Sequence, residues 1–276
     1  MSVTLASLLK DAAAGDAEAR ADAERLLLHL LRKSRSWLYA HLSDPVDVTL
    51  SGDFRAAWVR VRAGEPLPYV IGEAEFWGRS FMVDRRVLIP RPDSETLLAV
   101  ALEFMNQDLP RTVVDAGTGS GALAISLALE RPRSFVLACD RSAGALAVAA
   151  ANAHRLGATV AFWQGDWLAA LASQSLDGVM SNPPYLAADD VHLPELRVGG
   201  EPESALVAAE DGLADLARIA RQALRVLRPG GWLAMEHGHA QGEATRQMLK
   251  RLGYEDVGTR QDMAGRDRVV VGRRRG

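Results

Sequence analysis

The sequence predicts an α/β protein. Its core is a mostly parallel, seven-stranded sheet with helices on both faces, preceded by a small helical bundle and a β-hairpin linker. Three observations predict it. From residue 111 onward, short apolar runs alternate with helical stretches. Before residue 63, apolar residues recur only at helical spacing. Between the two lies a stretch with closely spaced prolines and a period of two. The 276 residues suffice for one or two domains. A 48% hydrophobic content excludes disorder as the main state, because enough apolar surface is available to offset chain entropy. The 24 glycines and 12 prolines follow no period, which excludes collagen-like and low-complexity classes. A net charge of −3 gives no overall basic footprint for gripping phosphates.

The elements follow in order. Leu5, Leu8, Leu9 and Ala12 mark a first helix, and Ala23, Leu26, Leu27, Leu30 and Leu31 a second. Phe54, Ala57, Trp58 and Val61 mark a third. Gly15-Asp16 and Ser43-Asp44-Pro45 separate them. Residues 1–70 are therefore expected to form the helical domain. Gly64-Glu65-Pro66-Leu67-Pro68 is read as a helix end passing into extended chain. Residues 71–92 are read as the linker, with a hairpin turning near Gly78-Arg79 and then the stiff run Val87-Leu88-Ile89-Pro90-Arg91-Pro92. Asp93 or Ser94 caps a helix through Leu97, Leu98, Val100, Ala101 and Phe104, which opens the domain at 93–276.

In that domain Thr112–Asp115, Phe135–Asp140, Thr159–Trp163, Leu176–Met180 and Trp232–Glu236 read as strands. Helices are expected over Gly121–Glu130, Ser142 to Leu156 and Asp211–Leu227, with another after the strand Trp232–Glu236 running to about Leu252. Arg228-Pro229-Gly230-Gly231 reads as a helix terminator. Tyr254–Thr259 and Arg268–Val271 supply the last two strands. In such sheets ligands bind beyond the carboxyl ends of the strands, where the strand order reverses.

Four motifs carry chemistry. The first is Asp115-Ala116-Gly117-Thr118-Gly119-Ser120-Gly121, between the first strand of the sheet and its helix. Its glycines permit a sharp turn and close approach to a ligand. The spacing G-x-G-x-G is not the dinucleotide fingerprint. Asp115 repels a pyrophosphate and suits a cationic ligand, and S-adenosylmethionine carries a sulfonium and an ammonium without a phosphate. The plainer alternative is a turn that only connects elements. The second motif is Asp140, 25 residues further on, placed to accept from both ribose hydroxyls of an adenosine or to serve as a helix N-cap. The glycine loop upstream favours the ribose. The third is Gly165-Asp166-Trp167, with Asp166 as acceptor for an adenine amino group and Trp167 against the adenine face. A loop aspartate beside a core tryptophan fits nearly as well.

The fourth motif decides the reading. Ser181-Asn182-Pro183-Pro184-Tyr185 follows the fourth strand. Two prolines give a rigid loop with carbonyl acceptors and no N–H donors. Asn182 adds a side-chain carbonyl. Acceptors converging on a planar NH2 orient that nitrogen toward a methyl group and stabilise the positive charge that grows on it. Tyr185 is placed to stack on a flat substrate group. No metal or nucleophilic side chain is needed, since catalysis is positioning plus electrostatics. The plainer alternative is an Asn-Pro turn with an exposed aromatic.

Asn182-Pro183-Pro184-Tyr185 together with Asp115–Gly121 resembles the class I (Rossmann-like) S-adenosylmethionine-dependent methyltransferases that act on planar nitrogen. The run from Gly72 to Phe81, followed by Val87 to Glu95, narrows the resemblance to the peptide chain release factor N5-glutamine methyltransferase family (PrmC/HemK type). Asn152-Ala153-His154-Arg155-Leu156-Gly157, Glu201-Pro202, Asp211-Gly212-Leu213 and the run from Asp262 to Arg268 match as well. The likeness runs from residue 64 to the C-terminus, and the helical N-terminus matches in character only.

The resemblance implies S-adenosylmethionine as methyl donor, S-adenosylhomocysteine as product, and the glutamine of a Gly-Gly-Gln loop in class 1 release factors as acceptor. It places the cofactor on Gly117, Thr118, Gly119, Ser120, Gly121, Asp140, Trp167 and Asn182. It places glutamine binding and catalysis on Asn182, Pro183, Pro184 and Tyr185. Asp115 and Asp166 join the cofactor set from their own chemistry. Two departures stand out: Pro92-Asp93-Ser94-Glu95 where the family reads Pro-Glu-Thr-Glu, and Ala208-Ala209 in place of a glycine-rich stretch.

The remaining expectations are plainer. Cys139, the single cysteine, lies in a strand and reads as a core residue of a reducing compartment. No signal-peptide pattern is read at the N-terminus, so the expected location is cytoplasmic, with no membrane partner. His237-Gly238-His239 has metal-compatible types but no supporting ligands, and no metal is expected. Glu236 and Arg91 are left between a structural place and the cleft, and Arg273-Arg274-Arg275 reads as a solvated tail. A monomer without direct nucleic-acid binding is expected. The alternatives are a nucleic-acid amino methyltransferase using the same tetrad, a non-catalytic binding protein with the same fold, and, weakest, an NAD-dependent dehydrogenase.

Overall fold

The computed structural model of the protein describes residues 3–105, 109–191, 193–210 and 212–276. The chain divides into two units, Met1–Gly72 and Glu73–Gly276. The first holds five helices: α1 (Leu5–Ala13), α2 (Ala17–Leu31), α3 (Arg35–Ala40), α4 (Val48–Arg62) and α5 (Leu67–Ile71). Thr4, Asp16, Ser34 and Asp47 cap the first four, each accepting a backbone N–H at the helix start. The apolar stripes read from the sequence meet in one core of Leu8, Leu9, Leu26, Leu27, Leu38 and Phe54. α3 is too short for its own stripe to show as a periodicity. Residues 67–71 correct an expectation, since they are helical and not extended. Pro68 sits in the first turn, where no intrahelical N–H is required, so its ring does not break the helix.

The second unit opens with an antiparallel hairpin, β1 (Glu73–Phe76) and β2 (Arg79–Met82). Its turn is at Trp77-Gly78, one residue earlier than expected. Of the residues read as a linker, 73–92 belong to this unit: Phe76 and Phe81 are buried in its core, and Glu95 Oε1 accepts from the Trp77 N–H at 2.7 Å. Then follow a 3₁₀ turn at Pro92–Ser94, α6 (Glu95–Phe104), β3 (Thr112–Ala116), α7 (Ala122–Glu130), β4 (Phe135–Asp140), α8 (Ala143–Leu156), β5 (Ala161–Gln164) and β6 (Leu176–Ser181). The chain closes with α9 (Leu193–Gly199), α10 (Ala214–Val226), β7 (Leu227–Glu236), α11 (Gly242–Leu252), β8 (Glu255–Gln261) and β9 (Asp267–Arg273). Asp211, read as the start of a helix and as part of a matching motif, lies outside the described residues.

The sheet order is β5-β4-β3-β6-β7-β9-β8, parallel except for the antiparallel pairings of β9 with β7 and β8. The order reverses between β3 and β6. Adjacent residues of one strand serve opposite faces: Val113 and Met180 join the core with α6 and α7, while Val114 and Val179 join the core with α10. Burial on both faces is why these strands read as continuous apolar runs. Two further details depart from expectation. β7 begins at Leu227, so Arg228-Pro229-Gly230-Gly231 lies inside the strand, at an irregularity of its register with β6. Such an irregularity tolerates a proline without N–H. α9 was not expected, because it has no apolar stripe and Pro194 occupies its first turn. Among the described residues, no helix is long and apolar enough to cross a membrane.

Candidate active site

The carboxyl ends of β3, β4 and β6 converge at the point where the sheet order reverses. Beyond them lies a cavity of about 370 Å³. The loop after β3 forms one wall. The Gly117 and Thr118 N–H groups donate to the Cys139 carbonyl at 2.9 Å each, which bends the chain back over β4. Gly117 has φ +82°, and a Cβ there would stand 2.7 Å from Trp167 Cζ3, so only glycine lets the indole close against the loop. Gly117, Thr118, Gly119 and Ser120 line the cavity. Gly121 does not; it ends the loop against Ile125 and Ala149 at the start of α7.

The helix N-cap weighed for Asp140 falls to Ser142, and Asp140 itself lines the cavity. Oδ2 accepts from the Gly119 N–H at 3.0 Å and Oδ1 from the Ser142 N–H at 2.9 Å, while Ser142 caps α8. Asp140 lines the cavity, and each carboxyl oxygen can accept more than one hydrogen bond, which is the chemistry a ribose diol needs. Asp166 and Trp167 line the same cavity. Asp166 is exposed and paired with Arg218, a partner 52 residues away that the sequence reading did not foresee.

Asp115 lies behind the loop and off the cavity wall. It is wholly buried, with Oδ2 accepting from Thr118 Oγ1 at 2.7 Å and Oδ1 without a hydrogen-bond partner. Burial pushes its carboxyl up to about 7, against the pull of the Thr118 hydrogen bond. The folded carboxyl therefore keeps its proton to higher pH than the unfolded one. Its contribution to stability is full below about pH 4 and is lost as pH rises through about 7, by a margin on the order of 4 kcal/mol. Asp115→Asn is expected to flatten this dependence in urea unfolding measured between about pH 5 and 8. A variant with the wild-type slope would remove the assignment. Cys139, beside it, has its thiol pushed up to about 12 by burial and donates to the Trp167 carbonyl, so it is no nucleophile at neutral pH.

The loop after β6 forms the facing wall, with Asn182 and Pro184 on the cavity. Asn182 Nδ2 donates to Ser94 Oγ at 3.0 Å. Pro183 is buried and lies off the wall. Tyr185 also lies off it: its hydroxyl donates to Glu236 Oε1 at 3.1 Å, and its carbonyl accepts from Gln241 Nε2 at 3.0 Å. The structure thus sets the tyrosine as a brace behind the corner, where the sequence reading had it stacking on substrate. Glu236, buried at the end of β7, has its carboxyl pushed above the usual range by that burial.

Several residues that the sequence did not assign support these walls. Asn152 accepts from the Met82 N–H and donates to the Met82 and Ser120 carbonyls, which ties the hairpin to the glycine loop. Buried Glu201 pairs with Arg91 at 2.5 Å and accepts from the Ile89 N–H, which holds the Pro-rich run against the cavity. Arg268, buried between β7 and β8, pairs with Asp93 at 2.9 Å and Asp262 at 3.2 Å. The only advance signal for these was the set of short matching runs that contained them.

The cavity suits S-adenosylmethionine. It offers a glycine-lined wall for close approach and the carboxyl oxygens of Asp140 on its lining. No phosphate-binding cluster is required of it.

Comparison with known proteins agrees. Residues 5–72 match the PrmC N-terminal domain and residues 93–195 the methyltransferase small domain. The crystal structure of a methyltransferase from Pyrococcus furiosus shares the fold, with a TM-score of 0.56, 15% identity, and 80% of this chain and 98% of that one covered. A release factor glutamine methyltransferase of Bordetella pertussis is 46% identical over 96% of this chain and 99% of its own length. One of Xylella fastidiosa is 46% identical over 92% and 93%. Identity at this level across nearly the whole of both sequences means that the chain belongs to the release factor glutamine methyltransferase family.

Proposed function

We propose that the protein transfers the methyl group of S-adenosylmethionine to the side-chain amide nitrogen of the glutamine in the Gly-Gly-Gln loop of class 1 peptide chain release factors. The observation that carries this is the orientation of Asn182. Its amide nitrogen is tied back to Ser94 and the residue lines the same cavity as the glycine loop, which leaves Oδ1 as the group to offer a substrate amide. The cofactor, when bound, supplies an activated methyl carbon on a sulfonium. Gly117–Ser120 and Asp140 hold it on one wall, with Trp167 beside the loop. On the other wall Asn182 Oδ1 accepts an N–H of the glutamine amide, which fixes the nitrogen plane and stabilises the positive charge that develops there. Pro183 and Pro184 keep this corner rigid and free of competing donors.

The helical unit at residues 5–72 is the part of the chain assigned to recognition of the release factor, and the protein acts as a cytoplasmic monomer. Incubation with labelled S-adenosylmethionine and a purified release factor is expected to label the factor, and a Gln→Ala change in its Gly-Gly-Gln loop is expected to abolish the label. No label in either, or equal label in both, would overturn the substrate.

A further inference from the structure

We propose that the sheet carries a second binding site at its other end, one for a phosphate group. The amino ends of β3 and β6 lie side by side there, opposite the carboxyl ends that form the cofactor cavity. A separate cavity of about 100 Å³ opens at this end, with Arg111, Asp177, Arg228, Gly230 and Arg273 on its lining. Arg228 and Gly230 belong to the irregular stretch of β7, a run that takes no part in the cofactor cavity. Arg273, read from the sequence as part of a solvated tail, ends β9 and lines the same small cavity.

Three arginines thus share one small space. They come from three places in the chain, just before β3, at the start of β7 and at the end of β9, and each is anchored. Arg228 Nη1 donates to Asp177 Oδ2 at 2.8 Å, and Arg111 Nη1 stands 3.6 Å from Asp177 Oδ1. Arg273 Nη1 donates to the Gly230 carbonyl at 3.0 Å, with its guanidinium 5.0 Å from the centre of the Phe104 ring. A guanidinium carries five N–H donors, so these anchors hold each group in place and leave most of its donors for a further acceptor. Among the described residues, two acids reach the three arginines. Asp177 also accepts from the Thr112 N–H at 2.7 Å, and Asp256 is exposed and 4.0 Å from Arg273. Asp177 is the one carboxylate among the described residues of the lining, which is therefore cationic. Like charges gathered in a small space repel, and a bound anion relieves that repulsion. A carboxylate is matched by a single arginine fork, whereas several guanidinium groups on one cavity match the oxygens and the charge of a phosphate group.

The test uses the full chain and two probes at fixed ionic strength: inorganic phosphate, followed by calorimetric titration, and a short end-labelled single-stranded RNA, followed by fluorescence anisotropy. At least one is expected to bind saturably. Arg228→Gln and Arg273→Gln are each expected to weaken that binding by about tenfold or more, the scale of one hydrogen bond to a charged group. Arg62→Gln makes the same change of charge on α4 and is expected to leave the binding unchanged. Arg273→Gln keeps both ion pairs of Asp177, so it tests the site whether or not Arg228→Gln folds well. Its affinity for S-adenosylhomocysteine is expected to stay at the wild-type value, because the cofactor cavity is at the opposite end of the sheet. Binding of phosphate without RNA supports the site and makes the free ion its ligand. Tighter binding of RNA supports it and makes a nucleic-acid backbone the source of the phosphate group. Saturable binding of neither probe, wild-type binding by Arg273→Gln, a cofactor affinity in that variant that falls in step with anion binding, or an equal loss in Arg62→Gln would each overturn the proposal.

Discussion

Asn182→Ala is expected to lower kcat for methylation of the release factor by roughly 10²- to 10³-fold, the range seen when one preorganised group facing developing charge is removed. Affinity for the cofactor should fall far less, because the glycine loop and Asp140 remain in place. The expectation follows from the geometry at the end of β6. Asn182 lines the cavity with Nδ2 held by Ser94, which leaves Oδ1 to accept from a substrate amide. Alanine removes the acceptor without adding bulk, and Pro183 and Pro184 keep the loop from collapsing into the space. Steady-state kinetics with a release factor, beside calorimetric titration of S-adenosylhomocysteine, separates the two quantities. Equal loss of turnover and cofactor affinity would make Asn182 a cofactor-binding residue and leave the substrate nitrogen without its acceptor.

The second large effect is expected at Gly117, with Gly119 as its contrast. Both have positive φ, +82° and +54°. At Gly117 an added Cβ would stand 2.7 Å from Trp167 Cζ3, so Gly117→Ala must displace either the indole or the loop. Both line the cavity, and a loss of cofactor affinity of about a hundredfold or more is expected, since a 1 Å misplacement in such a site costs on that order. At Gly119 an added Cβ meets nothing within 4 Å. Gly119→Ala should therefore fold with a penalty of only about 1–2 kcal/mol for the left-handed backbone. Its methyl group occupies cavity space, so affinity falls while stability is nearly kept. Unfolding curves and cofactor titrations on the two variants distinguish the cases. Wild-type affinity in Gly117→Ala would mean that the loop after β3 is not the cofactor's seat.

Much of the fold was legible because the signals are local. Strands buried on both faces carry apolar runs, and Val113-Val114, Val136–Cys139 and Val179-Met180 are such runs. Four of the five N-terminal helices carry Ser, Thr or Asp at the position that caps them. The elements that escaped are those whose pattern is ambiguous at short range. α5 begins among prolines that also mark extended chain, and α9 lacks an apolar stripe. The run Arg228-Pro229-Gly230-Gly231 reads as a stop, yet it is an irregular stretch within β7 held by its pairing with β6.

The site divides along the same line. The amino-acid sequence by itself determined which groups the chemistry has: a glycine loop after β3, an acid after β4, and a donor-poor Asn-Pro-Pro-Tyr corner after β6, each set by residues adjacent in the chain. Only the tertiary structure decided which way those groups face. Asn182 donates to Ser94, 88 positions earlier, Tyr185 donates to Glu236, 51 positions later, and Asp166 is paired with Arg218. Asp115 is raised toward neutrality by burial that no neighbour in sequence reveals. A hydrogen bond's direction and a carboxylate's solvation depend on partners brought together by folding, so local composition names the reactive groups and packing sets their polarity.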